Sequence, residues 1–173
     1  TTNAPFREDL YFGKIDWTPA DDHLIELTVK RREEDELTNI GGQNLSSSGT
    51  LKIGEETRND LRHQYSAANR LNDAHITFED TTFAPRTASN ENGYLLFIPR
   101  AGEEANNNPG MDQIIRRGGG GDYQDKGQKG YSLQNDFSFY GWEGHTVKAG
   151  VKYKLIDINA FEQSPYSPQF RYD

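Results

Sequence analysis

The chain has 173 residues, enough for one globular domain with its own core. Only 33% of them are apolar, and counted with glycine and without tyrosine the share is about 38%, against about 45–50% in soluble domains. A net charge of −8 disfavours a nucleic-acid partner, and the lack of cysteine excludes a disulfide framework or a thiolate metal site. Disordered chains are poor in aromatic residues, whereas 12% of this one is aromatic, so something must order those rings. No stretch approaches the roughly 18 consecutive apolar residues of a membrane helix, so any crossing would run through strands. Residues 1–9 are polar and lack the apolar region of a signal peptide, so an exported chain would be represented here by a mature or internal segment.

The strand signal, alternation at a period of two, appears in three pairs. The first hairpin spans about 10–32. Tyr11, Gly13, Ile15 and Trp17 alternate with Phe12, Lys14, Asp16 and Thr18; a turn at Pro19 to Asp22 follows; then Ile25, Leu27 and Val29 alternate with Glu26, Thr28 and Lys30. A polar connection is expected from about 35 to 59. The second hairpin, about 60–86, sets Leu61, His63 and Tyr65 against Arg62 and Gln64, turns near Arg70 to Asp73, and returns with Ala74, Ile76 and Phe78. A second long connection is expected over about 87–128. The third hairpin, about 130–160, runs Tyr131, Leu133, Phe137 and Phe139 against Ser132, Gln134, Asp136 and Ser138. It turns at Trp142 to His145 and returns with Val147, Ala149, Val151, Tyr153 and Leu155 against Lys148, Lys152 and Lys154.

A polar average with many aromatics, two-faced strands, and short turns alternating with long loops fits a transmembrane β-barrel wall. In a soluble domain two such loops would count against the assignment. The expected fold is therefore all-β: an antiparallel barrel segment of about six strands, residues 1–173 forming a single partial barrel region. On this reading Ile15, Ile25, Leu27, Val29, Phe137, Phe139, Val147, Val151 and Tyr153 face lipid. Lys14, Asp16, Glu26, Lys148, Lys152 and Lys154 face the lumen. Trp17, Tyr140 and Trp142, each near a short turn, anchor the interface, where amphipathic rings collect. Aromatics capping a soluble hairpin are the alternative.

From Gln134 the chain reads Gln-Asn-Asp-Phe-Ser-Phe-Tyr-Gly-Trp-Glu-Gly-His-Thr-Val-Lys-Ala-Gly-Val-Lys-Tyr-Lys. This hairpin resembles one from the barrel of TonB-dependent outer-membrane receptors, particularly the large Oar-like receptors, in which an Asn-Asp strand, a Gly-His turn and a Lys-x-Gly strand recur. The segment Phe12 to Pro19 with Asp22-His23, and Ala74 to Arg86 around Phe78-Glu79-Asp80, are similar to strands of the same family. The resemblance implies a share of a 22-strand barrel in the bacterial outer membrane, where the whole receptor takes up a scarce solute by energised transport. It implies as partners outer-membrane lipid, the remainder of the barrel with its plug, a TonB-type energising protein and an unidentified solute. No plug, TonB box or terminal barrel aromatic is found, so the chain is expected to be a fragment or part of a longer protein.

No catalytic, metal or cofactor site is expected, and no ligand-binding residue is assigned. The run Arg116-Arg117-Gly118-Gly119-Gly120-Gly121-Asp122 invites a phosphate-loop reading, but no apolar strand, helix or Lys-Ser/Thr ending accompanies it, and a flexible loop is expected. His23, His63, His75 and His145 show no metal-ligand spacing. Ser46 to Ser48 sit in no nucleophile elbow. The acidic and amide clusters Asp21-Asp22, Glu103-Glu104 and Asn106 to Asn108 match no calcium-loop pattern and read as solvated loop. Lys148, Lys152 and Lys154 could attract anionic solutes or pair with Asp136 and neighbouring acids. Two soluble readings stay open: a β-sandwich or adhesin-like binding module, with the apolar faces packed sheet on sheet, and a carbohydrate-active enzyme of β type, which would need two carboxylates across a cleft.

Overall fold

Side chains that alternate between apolar and polar at every step can meet both demands only in extended strands whose two faces see different surroundings. The computed structural model, which describes residues 4–105 and 110–173, builds its main sheet from such strands. In chain order the strands are β1 (Phe6–Ala20), β2 (His23–Thr38), β3 (Thr50–Ala67), β4 (Arg70–Phe83), β5 (Arg86–Thr87), β6 (Gly93–Pro99), β7 (Met111–Arg117), β8 (Tyr123–Trp142), β9 (His145–Gln163) and β10 (Gln169–Tyr172). The main sheet runs β1-β2-β3-β4-β8-β9, antiparallel at every step, with the short β5 pairing β3. β6 and β7 form a hairpin, and β10 joins β6 in parallel to make a second sheet of three strands. No described helix is long and apolar enough to cross a membrane, which leaves crossing by strands untouched.

The six expected strands are all present, but their bounds differ. The second turn is Ala68-Asn69, because Ala67 pairs Arg70; residues 70–73, expected as turn, belong to β4, where Arg62 grips Asp73 across the strand pair. The first and third turns tighten to Asp21-Asp22 and Glu143-Gly144, with Gly144 at φ 72 supplying the left-handed conformation. Of the connection expected over 35–59, only 39–49 lies outside β2 and β3, apart from one 3₁₀ turn at Ser46–Ser48. The apolar signal fades there because charge pairing takes over: Arg31 meets Glu33 and Glu55, Arg32 meets Glu8, and Lys52 meets Glu36. Of the region expected as loop over 87–128, the apolar run Tyr94 to Ile98 forms β6, and β8 begins at Tyr123.

Long strands follow from this. The main six run from 14 to 20 residues, against about 9–11 needed to traverse hydrocarbon, so each has a half beside a tight turn and a half that projects past it. Pro85 aside, no apolar side chain is buried among the described residues. The buried positions are small ones, Ser48, Gly49, Pro85, Thr87, Gly93, Gly118 to Gly120 and Gly130. Most of them lie where the β2–β3 connection, the residues after β7 and the approach to β10 converge. The glycine run, expected as a flexible loop, is instead a close crossing. A Cβ at Gly118, which also has φ 74, or at Gly119 would fall within 3.0 Å of backbone carbonyl oxygens of residues 89–92. Asn106 to Asn108 lie outside the described residues.

Candidate functional site

Because paired residues of neighbouring strands project to the same face, the register can be read as rows across the sheet. One row is Ile15, Leu27, Leu61, Ile76, Leu133 and Tyr153. All six are apolar or aromatic, and they are 38–67% exposed, including those on the interior strands β2, β3, β4 and β8. Stepping one residue along each strand gives Asp16, Glu26, Arg62, His75, Gln134 and Lys152, all polar. The sheet therefore has an oily face and a wet face, and neither is covered by a second layer of the described residues.

The register puts Ile15, Ile25, Leu27, Val29, Phe137, Phe139, Val147, Val151 and Tyr153 together on the oily face, and Lys14, Asp16, Glu26, Lys148, Lys152 and Lys154 together on the other. Trp17 is opposite Ile25 on the oily face, Tyr140 bonds through its N–H to the Asn69 carbonyl in the neighbouring turn, and Trp142 stacks edge-on with Phe139 beside the third turn. The oily face ends abruptly. Two rows past Leu27 come Tyr11, Arg31, Thr57, Asp80, Lys129 and Asp157.

The wet face carries a continuous bonded network. Lys14 Nζ donates to Glu26; Arg62 Nη1 donates to the other Glu26 oxygen at 2.7 Å; Arg62 Nε and Nη2 grip both Asp73 oxygens at 2.8 and 2.6 Å. His75 lies 3.2 Å from Asp73 and 3.2 Å from Asp60, and the Thr77 hydroxyl donates to Asp60 at 2.6 Å. Four strands are stitched in this way. A bidentate guanidinium–carboxylate pair fixes geometry as well as charge. Lys154 pairs with Glu79 at 3.1 Å rather than with Asp136, which instead accepts from Gln134. Among the described residues, Lys148 and Lys152 have no carboxylate within 4.0 Å. Past the polar row, the Arg31 and Arg32 guanidiniums are held above their ordinary pKa, chiefly by their hydrogen bonds to Glu33 and Glu8 respectively.

The fold brings together histidines that are 40 apart in sequence. His23 Nδ1 and His63 Nε2 are 2.9 Å apart, one donating to the other, with the rings stacked and Tyr65 alongside. Linear spacing gives no hint of this contact, since it depends on the diagonal of the β2–β3 register. Among the described residues no group of three or more His, Cys, Asp or Glu is placed to hold a metal ion. The glycine run offers no anion cradle. Three of its four amides are engaged: Gly118 N–H donates to the Ser47 hydroxyl, Gly119 N–H to the Glu91 carbonyl and Gly120 N–H to the Ser167 hydroxyl.

Against solved structures, the chain is similar to the outer membrane transporter YddB from Escherichia coli, with a TM-score of 0.63 over 95% of this chain. The shared fold is an open antiparallel β-sheet of long strands. At 12% sequence identity the likeness shows the fold alone, and the chain spans only 21% of the transporter's length. No family model matches the chain, and no curated protein matches it in sequence. The chain is thus all-β, its main sheet open and antiparallel like the matched part of that outer-membrane protein.

Proposed function

We propose that this chain is part of the barrel wall of a TonB-dependent receptor in the bacterial outer membrane, which takes up a scarce solute by energised transport. The observation that carries the reading is the pair of adjacent rows: six oily side chains across six strands, backed one residue later by six polar ones. Lipid on one side and an aqueous lumen on the other is the environment that accommodates both rows. Ile15, Leu27, Leu61, Ile76, Leu133 and Tyr153 then meet hydrocarbon, and the Lys14–Glu26–Arg62–Asp73–His75 network lines the lumen. The two-residue turns lie at the periplasmic end and the charge-paired halves project outward. Its partners are outer-membrane lipid, the remainder of the barrel with its plug, and a TonB-type protein; the Oar-like hairpin from Gln134 to Lys154 supports the last two. The wall carries no chemistry of its own.

The test uses the absence of native cysteine from this segment. Single cysteines at Leu61, Leu133, Arg62 and Gln134 in the full-length protein, reconstituted in liposomes, carry a polarity-sensitive fluorophore. Emission at Leu61 and Leu133 should report hydrocarbon, and emission at Arg62 and Gln134 water; the same polarity at all four sites would overturn the facing. Solute uptake by cells with and without the TonB-type protein tests the energised step separately.

A further inference from the structure

Arg116 stands out in the region where the small buried residues converge. Its Nε is closed off from solvent and meets no acceptor among the described residues, and no described carboxylate lies within 4.0 Å of its guanidinium. The residue as a whole is only partly buried, but a buried donor nitrogen that meets no acceptor is costly, and structures normally resolve it by pairing. Its backbone is held firmly: the Arg116 N–H donates to the Gln43 carbonyl, while its own carbonyl accepts from Leu45 N–H and from the Ser48 hydroxyl. The neighbouring Arg117 is differently placed, 4.9 Å above the Tyr94 ring.

The Arg116 side chain lines a cleft of about 470 Å³ walled by three separate stretches of chain, 39–50, 120–122 and 164–169. Two neutral side chains of the lining have donors left to offer. Asn44, paired with Arg116 across a β-bridge, uses its side-chain oxygen to accept from Gln113, which leaves its amide hydrogens available. Thr50 Oγ1 accepts from Asn39, so its own proton can be directed elsewhere. The one acid in the lining, Asp122, is engaged by the Ser164 hydroxyl. We propose that this cleft is a binding site for the carboxylate group of a small solute, with Arg116 as the charged anchor and Asn44 and Thr50 as the neutral donors. The site is assembled from connections beyond the oily band, and it does not depend on which face of the sheet meets lipid. Asp122 sets a limit on the ligand: it disfavours a second negative charge pressed into the same cleft, so a dicarboxylate would enter by one end only, its other carboxylate staying in solvent.

Equilibrium dialysis of the full-length protein in neutral detergent against radiolabelled succinate, with sodium chloride as the competing salt, tests this directly. One succinate should bind per chain and resist chloride. Arg116→Gln should weaken binding by about tenfold or more, the scale of a lost charge-assisted hydrogen bond, whereas Arg117→Gln should leave it unchanged. Asn44→Asp supplies a built-in carboxylate beside the guanidinium; it should abolish succinate binding while raising the midpoint of thermal unfolding, so the proposal stays testable if Arg116→Gln fails to fold. Inorganic phosphate in place of succinate separates a carboxylate site from a general oxyanion site, and equal binding of the two would overturn the assignment. So would absence of binding at millimolar succinate, or equal binding by wild type and Asn44→Asp. None of these outcomes bears on the fluorophore polarities that test the barrel facing.

Discussion

The two halves of the long strands obey the same period and use different chemistry. Beside the tight turns, every second residue is oily, as in Ile25, Leu27 and Val29 of β2; farther along the same strand the period is carried by Arg31, Glu33 and Asp35 against Arg32, Glu34 and Glu36. In β2 the first half has different surroundings on its two faces, and the second is charged on both. Pairing does not require apolar faces, because backbone ladders and cross-strand charge pairs hold the projecting half together. What the oily half adds is a direction, a face that water does not suit.

That comparison breaks most sharply at neighbouring residues on opposite faces. Val151→Arg should destabilise the protein in lipid by about 2–4 kcal/mol, and Lys152→Arg by much less; denaturant unfolding from liposomes measures both, and equal effects would contradict the two-faced reading. Gly118→Ala, at a left-handed position crowded by the Asn92 carbonyl, should cost about 1–3 kcal/mol. Protease sensitivity confined to 84–122 would show that the damage stays out of the oily half. Arg62→Gln removes the two-pronged grip on Asp73 and should cost about 1–2 kcal/mol, discounted because both side chains are partly solvated; the same unfolding assay in Asp73→Asn, and in the double variant, should show coupling rather than additivity. The smallest effect is expected in the projecting half, where Arg31→Gln should leave stability unchanged at physiological salt, since exposed ion pairs are screened. A large loss there would mean that the charge-paired halves are not solvated.

The alternation was legible in the sequence wherever one face was oily, and all six long strands could be found from it. The apparent loop over 35–59 was hidden by its charges: a period-two pattern of Arg and Glu on both faces carries no apolar rhythm, so strand and solvated loop look alike until partners are aligned. The second turn lies three residues before the expected one because Asn72-Asp73 is as good a turn signal as Ala68-Asn69, and only the cross-strand pairing, Ala67 with Arg70 and Arg62 with Asp73, decides between them. The run of Tyr94 to Ile98 has the apolar density of a strand, but the polar residues on both sides of it mask the signal.

By itself, then, the amino-acid order determined the strand class, the two-faced character and the sorting of side chains onto each face, because a period of two is a local property of extended backbone. Tertiary structure alone decided which residues meet across strands: the His23–His63 contact, the Arg62 network, the packing of the glycine run, and the isolation of Arg116. Each depends on register or on segments brought together from more than 20 positions apart or on how tightly they pack, and nothing in linear spacing encodes those.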